Sequence, residues 1–163
     1  MIIIGNIVAL FASIAMVTSG ILKNKKQIIF VQTIQIGLFI ISNLVLGGYV
    51  GAIVNALSLI RNIICYKDKL DIKWIVILTI ISVVLSLYYN NLGIVGLLPL
   101  IASTIYLWFM NIKNISKFKI LMILITILWL IYDICIKSYT SACFDASTII
   151  TNFISLYLLR KKL

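Results

Sequence analysis

Apolar residues run in blocks of about twenty, the length a helix needs to cross a bilayer, and each block stops at charge or at a Gly/Asn cluster. The first spans Ile2–Leu22 and closes at Lys23, Lys25 and Lys26. The second runs Ile28–Leu46 to Gly47-Gly48-Tyr49, and the third Val50–Tyr66 to a loop with Lys67, Asp68, Lys69, Asp71 and Lys73. Trp74–Tyr89, ending at Asn90-Asn91, is the fourth; Leu92–Asn111, before Lys113, Lys117 and Lys119, is the fifth. Ile120–Ile136 is the sixth, followed by a loop over Lys137–Cys143. Phe144–Leu159 is the seventh, capped by Arg160, Lys161 and Lys162. Such runs are too long for barrel strands, so the pattern predicts an all-α membrane protein of seven transmembrane helices.

Composition excludes the alternatives. With 63% hydrophobic and 11% charged residues and a mean hydropathy of +1.20, the chain has too little polar surface to cover a soluble globule. It has no histidine, no glutamate and four aspartates. The sequence carries no paired-carboxylate motif, no nucleophile with a base, no Gly-rich phosphate loop and no metal-ligand cluster, so neither enzyme chemistry nor a metal or other cofactor is expected. Cys65, Cys135 and Cys143 have no metal or redox spacing and read as small apolar fillers. Met1–Leu22 lacks a basic start and a small-residue cleavage site, and reads as a retained first span.

The charge of +10 matters through its placement. Thirteen basic residues fall after spans 1, 3, 5 and 7, with Arg61 assigned to that side because its stem can snorkel; only Lys137 falls on the other. The positive-inside rule then puts the N-terminus outside and the C-terminus in the cytoplasm. These basic rows would touch anionic lipid heads, and no nucleic-acid partner is needed to explain them.

The charge pattern also contains a repeat. A shift of 90 residues places Leu22-Lys23-Asn24 on Ile112-Lys113-Asn114, Ala12-Ser13 on Ala102-Ser103, Phe39 on Trp129, Asn43 on Asp133 and Tyr49 on Tyr139. Seven further residues of offset bring Asn55-x-x-Ser58-Leu59 onto Asn152-x-x-Ser155-Leu156. Two three-helix units of the same orientation need an odd number of helices between them, and the fourth span supplies that inversion. The expected layout is 3+1+3: a first bundle over 1–66, an inner loop and linker helix over 67–91, and a second parallel bundle over 92–163.

The stretches GAIVNALSLIRNII (51–64), LLPLIASTIYLWF (97–109) and LWLIYDICIKSY…TNFISLYLLR (128–160) resemble the YgjV family of bacterial inner-membrane proteins over nearly the whole chain. That family is similar, distantly, to the SWEET, semiSWEET and PQ-loop transporters. The resemblance implies the same pair of three-helix bundles, the bacterial cytoplasmic membrane as location, and a small polar solute, a sugar among the candidates, as cargo. Leu128-Trp129-x-x-Tyr132 resembles the second-helix motif of those repeats, and Asn55 and Asn152 fall where third-helix asparagines face the substrate. The wider group places a hinge proline in the first helix of each repeat. Here Pro99 is the chain's one proline, and Ala9 stands at its partner position.

Each intramembrane polar residue has two readings. Asn55 and Asn152 lie near mid-depth, as helix–helix glue or as carboxamides facing a central cavity. Ser58 and Ser155 follow at i+3 and either extend that lining or pack. Trp129 and Phe39 either cover a solute's apolar face or fill the bundle. Pro99 is a hinge or a static kink. Asp133 is a proton site or, as the favoured reading, the ion-pair partner of Lys137 four residues on. Two functions remain in play: a facilitator passing a small neutral polar solute through a central cleft by alternating access, or a non-transporting binding, accessory or scaffold protein. Either could form a homo-oligomer.

Overall fold

The computed structural model describes residues 1–21, 25–67, 69–109 and 114–161, and within them the side chains other than 17–21, 25–29, 32, 115, 118, 155 and 158–161. Lys23, Lys113 and Lys162 of the basic clusters therefore lie outside the described residues. Seven long helices and one single-turn segment are formed, with no strand among the described residues. They are α1 (Ile2–Ile21), α2 (Lys25–Leu46), α3 (Tyr49–Tyr66), α4 (Ile72–Tyr89), the short α5 (Gly93–Gly96), α6 (Leu98–Phe109), α7 (Ile115–Cys135) and α8 (Tyr139–Lys161). Among the described residues, Tyr49–Tyr66 and Ile72–Tyr89 are long and apolar enough to cross a membrane; Ile2–Met16, Thr33–Leu46 and Gly93–Phe109 are shorter apolar stretches.

Local chemistry sets the helix ends. Asp71 caps α4, its carboxylate accepting the Trp74 N–H at 3.0 Å, and Asn114 caps α7 through the Lys117 N–H at 3.1 Å. The fifth span, expected as one helix, is divided at Leu97. Pro99 has no N–H for the Val95 carbonyl, so the chain tightens, with the Leu97 N–H on Ile94 O at 3.1 Å, and restarts with Pro99 in the first turn of α6.

The seventh helix begins earlier than its polar start suggests. The connection is not a loop to Cys143 but a tight corner, and α8 is helical from Tyr139. At this corner the Lys137 N–H bonds Ile134 O at 3.1 Å and the Ser138 N–H bonds Asp133 O at 2.8 Å, with Lys137 left-handed at φ 62°. The α2–α3 corner has the same two bonds: Gly47 N–H to Leu44 O at 3.2 Å and Gly48 N–H to Asn43 O at 2.8 Å, with Gly47 at φ 78°. In both, the next helix opens with the same bond, Ala52 N–H to Gly48 O and Ala142 N–H to Ser138 O, each 3.0 Å. The two corners are thus one motif repeated at an offset of 90 residues, and that offset continues into α3 and α8. The seven-residue shift expected for the third helices is absent. Asn55 corresponds to Asp145, each six residues past the opening tyrosine of its helix, and Asn152 corresponds to Asn62.

The helices pack as a ring. Neighbouring pairs run α1·α2, α2·α3, α3·α6, α6·α7, α7·α8 and α8·α1, while α4 lies against α3 and α6. Exchanging α1 with α6, α2 with α7 and α3 with α8 maps this set of ring contacts onto itself. Small buried residues Ala9, Ala12 and Ser13 let α1 approach closely, whereas its Ile3, Ile7 and Phe11 are exposed on the outer surface, as suits contact with lipid. Val50, Val54 and Leu100 with Trp129 join α3, α6 and α7; Ile75, Leu78 and Leu107 hold α4 on the ring. The Trp108 indole N–H adds a hydrogen bond to Thr79 Oγ1 at 3.1 Å.

Candidate functional site

Three contacts fasten the corner end of the ring. Gly48 and Gly51 put no side chain between α3 and α7, so the Tyr132 hydroxyl reaches the backbone and accepts the Gly51 N–H at 3.1 Å. Asn6 of α1 donates to Lys137 O at 3.0 Å and accepts the Thr140 N–H at 3.0 Å, capping α8 across the molecule. Asn91, ahead of α5, donates to Gly47 O at 2.8 Å. Each corner's left-handed residue thus gives its carbonyl to an asparagine from the other half of the chain.

Inside the ring lies a cleft of about 730 Å³, within the roughly 300–1,000 Å³ range of small-molecule sites. Asn55, Asn152, Trp129, Phe39 and Ser58 all line it, so those sequence-predicted residues share one space. The Ser155 side chain lies outside the described residues. Pro99 is buried in α6 and is not part of the lining.

The two asparagines are not equivalent. Asn152 Nδ2 bonds Thr148 O in its own helix at 2.9 Å. Asn55 is 8% exposed and makes no side-chain hydrogen bond among the described residues, which leaves its amide facing the cleft. Trp129 stands edge-on to Tyr132, ring centres 5.8 Å apart, and both packs against the α3–α6 core and lines the cleft. Gln35 extends the lining on α2.

The charges fall where the sequence did not put them. Among the described residues no ion pair joins Asp133 to Lys137. Lys137 is exposed at the corner, while Asp133 is buried, lines the cleft, and has Asp145 as its charged neighbour. The reason is helical geometry: the left-handed turn at Lys137 breaks the i, i+4 stacking on which such a pair depends. Asp145, which the sequence reading did not single out, lies inside α8 and lines the same cleft. Arg61 does not snorkel to an interface. It is buried, bonds Asn62 Oδ1 through Nε at 3.3 Å and Nη2 at 3.1 Å, and stacks over the Tyr106 ring at 4.8 Å. With Lys119 it lines the half of the cleft away from the corners. The cleft therefore grades from carboxylates near the corners to cations at the opposite end.

Asp145 was findable. At the constant 90-residue offset, Tyr49/Tyr139, Ala52/Ala142, Ala56/Ala146 and Asn62/Asn152 are identities, and Asn55 falls on Asp145. Among the described residues no cluster of three or more His, Cys, Asp or Glu could hold a metal ion.

An apolar outer face around a polar, charge-graded cleft defines a helical membrane protein with an internal solute-sized space. A family model of bacterial inner-membrane proteins, Imp-YgjV, matches residues 3–162, and the chain belongs to that family. No curated protein and no solved structure matches the chain.

Proposed function

We propose that the protein is a SWEET-like facilitator that moves a small neutral polar solute, a sugar among the candidates, by alternating access through the central cleft. The observation that carries this reading is the cleft itself: about 730 Å³, with the uncommitted Asn55 amide and the Trp129 indole on its wall. A carboxamide offers donors and an acceptor to hydroxyl groups, and an indole covers the apolar face of a sugar ring.

Three further features favour the 3+1+3 arrangement. The corners repeat at 90 residues, the ring contacts map onto themselves under exchange of the halves, and α4 stands outside the ring. Alternating access needs one end closed at a time, and the corner end is fastened by Tyr132, Asn6 and Asn91. With the basic residues inside, this is a conformation closed to the outside. The break at Leu97 ahead of Pro99 gives the second half a place to bend.

Uptake by reconstituted protein, screened over sugars, polyols and other small polar metabolites, tests the reading. Asn55→Leu is expected to abolish uptake of the active solute while insertion and thermal unfolding stay as in wild type. If no solute crosses, or if Asn55→Leu transports normally, the asparagine is helix glue and the accessory or scaffold reading replaces transport.

A further inference from the structure

Four polar residues occupy two equivalent positions in the two halves: Asn43 and Asn55 in the first, Asp133 and Asp145 in the second. All four line the cleft and are buried, at 4%, 8%, 6% and 9% exposure in that order. The second half thus carries carboxylates where the first carries amides. Neither carboxylate forms an ion pair among the described residues.

Two oxygens of the quartet are buried without a hydrogen-bond partner among the described residues, Asn43 Oδ1 and Asp145 Oδ2. The Asn43 amide nitrogen is committed to Phe39 O at 2.9 Å, which turns its oxygen off its own helix. Orphaned acceptors on a carboxamide and on a carboxylate, both on residues that line one cleft, call for a positive charge or a donor.

The protein's own cations do not supply it. Arg61 lies six residues beyond Asn55 on α3, about 9 Å along the axis, and Lys119 lies fourteen residues from Asp133 on α7, about 21 Å. α1 has no titratable side chain, α2 has only Lys25 and Lys26 at its far end, and α6 contributes Tyr106. Tyr132, on α7 beside Asp133, accepts the Gly51 N–H and keeps its own hydroxyl proton, a neutral donor that brings no positive charge. Two carboxylates within electrostatic reach of each other, in a poorly solvated space with no cation beside them, repel unless a positive charge sits between them.

We propose that the Asn43–Asn55–Asp133–Asp145 quartet binds one exchangeable monovalent cation, a proton or an alkali ion. The donors are all oxygen, which suits a hard cation. The quartet reaches six oxygens only when both carboxylates bind through both of theirs, the lower limit of the six to eight that a calcium ion takes. The site stands whether or not the cleft carries a solute, and its test uses none.

The experiment is thermal unfolding of the purified full-length protein in detergent, together with equilibrium binding of radioactive sodium. Lowering the pH from about 8 to about 5 in N-methylglucamine chloride is one arm. Titrating sodium or potassium chloride at pH about 8 and constant ionic strength is the other. In one arm the wild-type midpoint is expected to rise by roughly 5 °C. A rise with acid alone assigns a proton; a saturable rise with alkali salt, matched by sodium binding that acid displaces, assigns a metal ion. D133N/D145N is expected to be flat in both arms. If that variant does not fold, D145N alone is expected to show less than half the wild-type shift. An equal response of wild type and variant, no response in either arm, or stabilisation by calcium or magnesium alone overturns the proposal.

Discussion

The Tyr132 hydroxyl accepts the Gly51 amide N–H at 3.1 Å, so a side chain of α7 caps the first turn of α3 from the other half of the chain. A methyl group on Gly51 would stand 2.6 Å from that hydroxyl oxygen and 2.8 Å from Asn43 Oδ1. Gly51→Ala is expected to cost about 1–3 kcal/mol through overpacking. Tyr132→Phe is expected to cost about 1 kcal/mol through the freed amide. Because both act on one contact, the double variant should lose less than the sum of the two. Unfolding midpoints of the three purified variants give the comparison.

Lys137 holds a left-handed conformation that its counterpart Gly47 adopts without a Cβ penalty. Lys137→Gly is expected to stabilise the protein by about 1 kcal/mol, read from equilibrium unfolding. An ion pair with Asp133 would give the opposite sign, so the same measurement tests the charge placement.

Asn6→Ala removes bonds to Ile2 O, Lys137 O and the Thr140 N–H, and Asn91→Ala removes the bond to Gly47 O. Asn91→Ala is expected to cost about 1 kcal/mol and Asn6→Ala more, because it also uncaps α8. A cysteine pair across the two corners should cross-link more slowly in both variants than in the wild-type background if these bonds hold that end shut.

Arg61 is buried without an acid partner among the described residues, with Asn62 Oδ1 and the Tyr106 ring as its neighbours. An unpaired buried cation contributes little to folding, and Arg61→Met, of similar length, should unfold at or above the wild-type midpoint. A drop of more than about 1 kcal/mol would mean that the stacking on Tyr106 outweighs the cost of desolvating the guanidinium.

The helices were legible because charge and glycine punctuate the chain; most ends fall within a few residues of the apolar blocks. The start of α8 was not, because Tyr139-Thr140-Ser141 reads as a polar loop. Its exposed amide is satisfied by Asn6, from a helix far away in the chain. That misplaced start lent weight to a chance match of Asn-x-x-Ser motifs, which drew the comparison away from the Asn55/Asp145 correspondence. Asn55, Trp129, Phe39, Ser58 and Asn152 were singled out in the sequence, and all line one cleft. The fate of Arg61 could not be read locally, since a free stem can snorkel or stack and the Tyr106 ring that decides it belongs to another helix.

Closure of the ring through α1 and α8 sets an order on biogenesis. Asn6 is synthesised 131 residues before Lys137, whose carbonyl it meets. Until α8 leaves the ribosome, the Asn6 amide has its own Ile2 carbonyl, at 2.9 Å, as its protein acceptor, and the face of α1 that will meet α8 lies open to lipid or to an insertase. The nascent chain is an open horseshoe until α8 has been made. The cleft acquires its last wall, and with it Asp145, only at that point.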